Sequence, residues 1–407
     1  MSGTEMTNAL WFRSLELRAV VAALSSGGQM PRIVGGAVRD GLLGLPVADV
    51  DLATTLTPDE VIDALEAARI KAVPTGIDHG TITAVSSGKT FEITTLRRDV
   101  STDGRRATVV FSTDWQEDAA RRDFTINALY ADPGTGEVFD YFGGLDDLKA
   151  GVVRFIGDAT ARITEDHLRI LRYFRFYARF GKSEADAEAI AACEAAAKSL
   201  MALSRERIAD EVMKLLALPD PSESVRLMVN HKIFAAFLPE IAADAVARLD
   251  RLLAREKTVS FQPKAERRLS ALLPDDRVTV EQVAARLKLS NKTRVELSER
   301  VAELNPVSTS ARPLGYRHGV AMATDMFLLH GADDWRDGVE ALCNWNPPVF
   351  PIKGGEIVAR GLTAGPLVAK TLKAAEQQWI DEGFPDATRA NAIADQCVAE
   401  MLSARNE

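Results

Sequence analysis

A glycine pair followed closely by charged residues is the feature that most constrains how this chain can fold. Residues 33–44 read IVGGAVRDGLLG, and Asp49 and Asp51 follow shortly afterwards. The apolar pair before the glycines predicts a short strand, and glycine removes the Cβ atom where a backbone must approach a phosphate closely. Residues two apart on a strand face the same side, so both carboxylates are expected at one place. The pattern predicts a magnesium site that also holds nucleotide phosphates.

Length and composition predict an ordinary protein of several domains. The chain has 407 residues, enough for about two to four domains with sizeable cores, and its mean hydropathy is −0.05. Neither a signal peptide nor an apolar run of about 18 residues is present in the sequence. The three cysteines are too few and too scattered for a disulfide framework or a zinc site. We therefore expect a cytoplasmic protein with no membrane partner, and the oligomeric state stays open.

Charge is distributed unevenly along the chain. The net charge is −9, which on average disfavours nucleic acid, but residues 154–182 carry an excess of four positive charges and residues 251–294 an excess of six. Such stretches can bind a phosphate backbone through a local patch. Solvated helix faces explain the second stretch equally well.

The pattern of apolar residues divides the chain into an α+β part and an all-α part. Residues 1–150 combine short β-rich runs with helical segments, whereas the strand signal vanishes from about residue 160. We expect a head with a small mixed or antiparallel sheet over 1–150, a helical neck over 151–225, and a helical body and tail over 226–407. The predicted strands are 32–34, 49–52, 72–73, 81–85, 91–96 and 109–111, and the predicted early helices are 8–25, 38–43 and 58–68.

Two shared carboxylates and a third acid suit the transfer of a nucleotide to a hydroxyl. Such sites hold two metal ions about 3.5–4 Å apart, one at the attacking hydroxyl and one at the leaving pyrophosphate. Glu92 is the candidate third acid, because alternation along residues 91–96 places Phe91 and Ile93 on the opposite face. An exposed strand residue explains Glu92 equally well.

Taken together, residues 33–51 resemble the signature of the class II transfer-RNA nucleotidyltransferase and bacterial poly(A) polymerase family, within the DNA polymerase beta superfamily. The resemblance implies a nucleotidyltransferase head followed by a helical neck, body and tail. It also implies that Asp49 and Asp51 bind Mg²⁺ and that Gly35, Gly36 and Arg39 contact the nucleotide.

A second block, residues 121–129 (RRDFTINAL), matches another motif of this family. Arg122 offers a planar fork for phosphate oxygens. Asp123 and Asn127 lie one helical turn apart, and by the resemblance they contact the ribose of the nucleotide. Without the resemblance, the block reads as a capped helix start with two surface arginines.

A third block, residues 165–176 (EDHLRILRYFRF), resembles the element with which the family selects the base. On a helix, Asp166 and Arg169 would lie one turn apart and could touch, and a plain salt-bridged helix is the simpler explanation. By the resemblance, Asp166 and Arg169 face the base in place of a nucleic-acid template, with Arg172 and Arg175 on phosphates or RNA. A fourth block, residues 203–211, resembles a helix-stabilising element and is assigned to structure alone.

Two further segments bear on the substrate. Residues 75–81 (TGIDHGT), with His79, are similar to a motif of the tRNA-maturing members, and residues 98–122 resemble a flexible segment that members adding only two C residues tend to lack. The resemblance therefore implies addition of the 3′-terminal CCA to tRNA from CTP and ATP. The alternatives are a poly(A) polymerase, a partial CC- or A-adding enzyme, and an inactive RNA- or nucleotide-binding module.

Overall fold

The computed structural model, which describes residues 3–25, 28–103, 106–302 and 304–403, begins with two helices and continues into a sheet. It divides into two compact units, Met1–Val246 and Ala247–Glu407. The strands of the first unit are β1 (Arg32–Val34), β2 (Asp51–Thr54), β3 (Lys71–Gly76), β4 (Thr81–Ser86), β5 (Lys89–Thr95), β6 (Arg97–Asp103), β7 (Arg106–Phe111), β8 (Leu129–Ala131) and β9 (Val138–Asp140).

Helices flank these strands and then replace them. They are α1 (Gly3–Asn8), α2 (Leu15–Leu24), α3 (Gly36–Leu42), α4 (Pro58–Ala67), α5 (Trp115–Ala120), α6 (Gly144–Ala150), α7 (Ala159–Glu165), α8 (Arg169–Phe180), α9 (Ala187–Ala196), α10 (Arg205–Leu216), α11 (Ser222–Asn230) and α12 (Ala243–Thr258). The boundary between the units falls within α12. The described residues after β9 contain no strand, which confirms the predicted change to an all-α region.

Seven strands form one mixed sheet in the order β3-β4-β5-β2-β1-β8-β9. Strands β2 and β5 are parallel, with Asp51 in register with Glu92, and the other neighbours are antiparallel. Strands β6 and β7 form a separate hairpin. The predicted mixed sheet is confirmed, and its central parallel pair brings together two carboxylates that are 41 residues apart in sequence.

Some predicted boundaries were wrong. The helix expected over 8–25 begins at Leu15, because Ser14 accepts a hydrogen bond from the Leu17 amide and so caps a new helix. The strand expected over 49–52 begins at Asp51, so Asp49 precedes it. Strands β8 and β9 were missed because three residues are too few to show a period of two.

An aromatic cluster holds α8 against the second sequence block. The ring of Phe124 lies 4.9 Å from that of Phe155 and 5.3 Å from that of Phe176, centroid to centroid. All three side chains are buried, and burial of each stabilises the fold by about 2–3 kcal/mol. The guanidinium groups of Arg172 and Arg175 on α8 lie over the ring of Phe176, 5.3 and 4.5 Å from its centroid, so the cluster also supports these two arginines.

The second unit is helical throughout its described residues. Its helices after α12 are α13 (Ala265–Leu272), α14 (Arg277–Arg286), α15 (Asn291–Arg300), α16 (Ala311–His318), α17 (Val320–His330), α18 (Trp335–Leu342), α19 (Gly354–Ala359), α20 (Pro366–Asp381) and α21 (Ala387–Ser403). No helix in the described part of the chain is long and apolar enough to cross a membrane.

The basic stretch over 251–294 is not simply a surface patch. Arg267 and Arg268 are almost completely buried and pair with Glu256, and Arg267 also pairs with Asp325 at 2.8 Å. Arg255 donates to backbone carbonyls, including that of Phe327. Several of the charges counted in the sequence therefore stabilise the interior of this unit.

Candidate active site

A cleft of about 880 Å³ in the first unit gathers the sequence motifs. All of the predicted metal- and nucleotide-binding residues line it, and only Glu92 of the predicted site residues lies outside its lining. The lining residues with functional side chains or glycine backbones are Gly35, Gly36, Arg39, Asp40, Asp49, Asp51, Arg121, Arg122, Asp123, Asn127, Asp166, Arg169, Arg172, Arg175, Arg179, Arg207 and Lys214.

The charge of the cleft differs from that of the chain. Nine basic and five acidic residues line it, although the whole chain has a net charge of −9. A concave surface with one predominant sign of charge concentrates ligands of the opposite sign. The cleft therefore suits a polyanion such as a nucleoside triphosphate.

Three carboxylates form what we call the catalytic corner: Asp49, Asp51 and Glu92. Asp51 begins β2, Glu92 lies beside it on β5, and Asp49 precedes the strand. Burial, together with the nearby carboxylate of Glu92, raises the pKa of Asp51 to about 6, although Arg122 opposes this shift. None of the three forms a salt bridge within the described residues. Uncompensated carboxylates at one place favour binding of a cation.

The catalytic corner fits a metal ion that is shared with a substrate. In the described ranges, no group of three or more His, Cys, Asp or Glu side chains is arranged to hold a metal ion without further ligands. Magnesium in phosphate-transfer sites is usually bound through one or two carboxylates, with substrate phosphates and water as the other ligands. The oxygen donors of Asp49 and Asp51 have the chemistry for such an open site.

Gly35 occupies a position that only glycine adopts easily. Its φ of 69° lies in the left-handed region, and it caps the start of α3. A Cβ atom at this position would lie 3.6 Å from Nη1 of Arg122 and 3.5 Å from the Asn127 carbonyl oxygen. The glycine turn of the first block therefore meets the second block at the cleft.

A buried carboxylate that sequence analysis missed holds Arg122. Asp118 on α5 is 1% exposed; its oxygens accept from Arg121 Nε at 2.8 Å, from Arg122 Nη2 at 3.1 Å and from the Tyr130 hydroxyl at 2.7 Å. Burial alone would raise the pKa of Asp118, but Arg122 and Arg121 lower it to about 2. The Asp118 carboxylate therefore fixes the position of Arg122, which sequence analysis predicted to bind phosphate.

The second and third blocks meet at Asp123. This buried carboxylate accepts from Arg172 Nε at 2.7 Å and from Asn127 Nδ2 at 3.0 Å, and Arg39 donates in turn to Asn127 Oδ1. Burial raises the pKa of Asp123, but Arg172, the hydrogen bond from Asn127 and the charge of Arg169 together outweigh burial, so the pKa is lowered. The expected helical turn over 123–127 was wrong, because Phe124 is extended and only Thr125–Asn127 forms a 3-10 turn. Asp123 and Asn127 are nevertheless hydrogen-bonded and belong to a network that includes Arg39 and Arg172.

Asp166 and Arg169 line the cleft together, but their side chains do not pair with each other. Asp166 has an extended backbone at the end of α7, and Arg169 begins α8, so the two residues do not lie on one continuous helix, although the Arg169 amide donates to the Asp166 carbonyl at 3.0 Å. Arg169 Nη1 donates to Glu165 at 2.5 Å and to the Arg162 carbonyl at 3.0 Å, while its Nη2 donates to the Arg121 carbonyl at 3.0 Å. The predicted side-chain contact between Asp166 and Arg169 was wrong, because α7 ends before Asp166 and α8 begins only at Arg169.

Helix α10, which the sequence assigned to structure alone, contributes directly to the cleft. Arg207 Nη2 donates to Asp166 Oδ2 at 2.8 Å, and Lys214 is a lining residue. Buried Glu211 accepts from Arg175 Nε at 2.6 Å. The signal was present in the sequence, since residues 207, 211 and 214 share one helical face.

The hairpin corresponds to the segment predicted to be flexible. Residues 98–122 contain most of β6, all of β7 and α5, and Asp103 pairs with Arg106 near the tip. The predicted tip includes residues 104 and 105, which lie outside the described residues. Arg97 donates to the His79 carbonyl oxygen, so the hairpin base contacts the TGIDHGT segment.

Comparisons with known proteins agree with this arrangement. Residues 31–154 match the poly A polymerase head domain, and residues 185–244 match the probable RNA and SrmB-binding site of polymerase A. The mitochondrial CCA tRNA nucleotidyltransferase 1 of Mus musculus is 37% identical over 375 residues, covering 87% of this chain and 83% of the relative. The CCA-adding enzyme of Streptococcus sanguinis is 32% identical over 387 residues, covering 91% and 94%.

A solved structure is similar over nearly the whole chain. The Bacillus stearothermophilus CCA-adding enzyme, in complex with CTP, has a TM-score of 0.78 and 26% sequence identity, covering 96% of this chain and 98% of that one. Its architecture corresponds to the α+β head and helical remainder described above. This chain belongs to the family of class II CCA-adding tRNA nucleotidyltransferases.

Proposed function

We propose that this chain adds the 3′-terminal CCA to transfer RNA from CTP and ATP, without a nucleic-acid template. The observation that carries the proposal is one cleft that joins a corner of free carboxylates to a wall of positioned arginines. In each step, the RNA terminal oxygen forms a bond to the α-phosphorus, and the bond from that phosphorus to the β-phosphate breaks. Pyrophosphate is released, and the proton of the terminal hydroxyl goes to solvent.

Family membership implies dependence on a divalent metal, and we propose Mg²⁺ held by Asp49 and Asp51. When bound, Mg²⁺ supplies activation of the hydroxyl and neutralisation of the phosphates. Glu92, in register with Asp51 on the parallel strand, adds negative charge that strengthens cation binding. The raised pKa of Asp51 supports this assignment, because burial and the nearby carboxylate of Glu92 both disfavour the charged form of Asp51, and a bound cation would favour it.

The nucleotide is held by groups that are already in place. The backbone of Gly35 and Gly36 and the guanidinium groups of Arg39 and Arg122 line the part of the cleft beside the carboxylates. Fixed donors in a partly buried cleft stabilise phosphate charge without reorganisation. Asp123 and Asn127 are proposed to accept and donate hydrogen bonds at the ribose, with Arg172 and Arg175 nearer to phosphates or RNA.

The base is proposed to be read by Asp166 and Arg169. C and A both present an exocyclic amino group, whereas U and G present a carbonyl oxygen at the corresponding place. A carboxylate accepts from the amino group, and an arginine donates to a neighbouring ring acceptor. A wrong base would leave these groups unpaired, which is an effective way to reject it.

The cytoplasm is the proposed compartment. Three free cysteines, of which Cys193 and Cys397 are buried, agree with a reducing environment. The Mus musculus relative is a mitochondrial protein by name, so fractionation of cells that produce this chain would test the proposal.

Poly(A) polymerase activity is the second candidate, favoured by the match of residues 31–154 to a poly A polymerase head domain. The two activities differ in product length and RNA requirement. Purified protein with ATP alone and an unrelated RNA separates them. A CCA-adding enzyme leaves that RNA unextended, and a poly(A) polymerase gives it a long tail.

A further inference from the structure

The surface of α10 that faces the cleft consists of charged residues at helical spacing. Arg207 and Lys214 line the cleft, and Glu211, between them on the same face, is 4% exposed. A row of charged residues on this face would be unusual for a purely structural helix, because a packing face is normally apolar. The face instead contacts two residues assigned to substrate binding, Asp166 and Arg175.

Asp166 has two anchors. Its Oδ1 accepts from the Leu168 amide at 3.1 Å, and its Oδ2 accepts from Arg207 Nη2 at 2.8 Å. The side chains of Arg207 and Asp166 are 23% and 26% exposed, so the pair is partly shielded from water. Charge-assisted hydrogen bonds of this kind are shorter and more directional than neutral ones.

A carboxylate that reads a base needs a fixed orientation. If Asp166 could rotate, water would satisfy its oxygens, and an amino group and a carbonyl group would be discriminated poorly. The Leu168 amide restrains one oxygen only. Arg207 restrains the other from a different helix, so the orientation of Asp166 depends on α10.

We propose that Arg207 is a positioning residue for base selection: it holds Asp166 so that the carboxylate accepts the amino group of C and A and rejects U and G. This inference rests on the proposed function, because it presupposes that Asp166 reads the base. Arg207 itself makes no contact with the base in this scheme. It acts on substrate choice and leaves the catalytic corner unchanged.

The test measures kcat/KM for CTP and for UTP on tRNA that lacks CCA, with Arg207→Gln, Arg207→Lys and the wild type. Arg207→Gln is expected to lower the ratio of kcat/KM for CTP to kcat/KM for UTP about tenfold. Arg207→Lys keeps the charge but loses the planar fork, so its ratio should lie between the other two. Arg205→Gln is the matched control, since Arg205 is on the same helix and its hydrogen bonds within the described part of the chain go to the Met201 sulfur alone.

Each outcome is decisive. If Arg207→Gln lowers kcat/KM for CTP and UTP by the same factor, Arg207 is structural and the inference is overturned. If Arg207→Gln does not fold, judged by its thermal melt, Arg207→Lys decides alone, and an unchanged CTP/UTP ratio in that variant overturns the inference. A wild-type protein that uses UTP as well as CTP would instead contradict the proposed function.

Discussion

Two groups of carboxylates in the first unit differ in whether arginines pair with them. In the catalytic corner, the carboxylates of Asp49, Asp51 and Glu92 have no salt-bridge partner among the described residues, and the pKa of Asp51 is raised. By contrast, Asp123 and Asp166 are each paired with an arginine. We call this second group the paired wall, and it also includes Glu165, Glu211 and their arginines.

This difference separates two functions of an acidic side chain. Carboxylates without a partner repel one another, and a bound cation relieves that repulsion. In a carboxylate–arginine pair, the attraction between the two groups offsets the desolvation of the carboxylate, and the carboxylate fixes the direction of the guanidinium group. This difference supports the proposal that the catalytic corner binds a cation and that the paired wall presents oriented donors and acceptors.

Removing a carboxylate from the catalytic corner should have the largest effect. Asp49→Ala or Asp51→Ala should reduce nucleotide incorporation by about a thousandfold or more, since metal binding supplies several kcal/mol of transition-state stabilisation. Gel assays of tRNA extension measure this, with filter binding to show that RNA affinity is largely kept. Asp59→Ala, which removes an exposed acid on α4, should leave activity unchanged. Normal turnover in either corner variant would refute the metal assignment.

Removing Asp118 should cost stability as well as activity. Asp118→Asn leaves Arg121 and Arg122 without their buried anion, so urea unfolding at pH 7 should show a loss of about 3 kcal/mol. The exposed Asp146→Asn control, whose ion pair is with Lys149, should change by less than about 1 kcal/mol.

The stability difference between the wild type and Asp118→Asn should depend on pH in a definite direction. The folded pKa of Asp118 is lowered from 3.8 to about 2, so its stabilisation is present above about pH 4 and is lost as the pH falls toward 2. The free-energy difference between the wild type and Asp118→Asn should therefore shrink over that interval. A difference that stays constant from pH 5 to pH 2.5 would show that the charge of Asp118 is not what stabilises the site.

Removing the proposed base-reading residues of the paired wall should change the choice of nucleotide more than the rate of incorporation. Asp166→Ala or Arg169→Ala is expected to blur the choice between CTP and ATP by about ten- to a hundredfold. Single-turnover incorporation from competing nucleotides measures this choice, and RNA affinity should change much less. Unchanged base choice in both variants would rule out selection by protein side chains.

The smallest effect is expected at Glu211. Glu211→Gln leaves Arg175 with a neutral acceptor, which should raise KM for CTP and ATP alike by about threefold, because a neutral hydrogen bond is weaker than a charged one. The two nucleotides serve as each other's control. An effect on one nucleotide only would place Glu211 with the base-reading groups instead.

Most of the cleft could be predicted from the sequence, because its motifs are local. The glycine turn, the Asp49 and Asp51 pair and the RRDFT block each fall within a few residues. The register of β5 with β2 places Glu92 beside Asp51, but Glu92 is exposed and lies outside the lining of the cleft. The α+β head and the helical remainder followed in the same way from periodicity. The assignment of roles to these residues stays a prediction.

The partners of the arginines could not be predicted, because pairing depends on tertiary structure. Asp166 pairs with Arg207 across 41 residues and Asp123 with Arg172 across 49. The helix break before Arg169 removed the expected local contact. Asp118 gave no signal, since a single acid four residues before Arg122 is also typical of a solvated helix.

The most direct test of the account is the length and sequence of the product at single-nucleotide resolution. Purified protein would be given Mg²⁺, CTP and ATP, with tRNA lacking CCA in one reaction and an unrelated RNA in another. The account predicts three additions in the order C, C, A, confined to tRNA. Long A tails on both RNAs, or no extension of either, would contradict it.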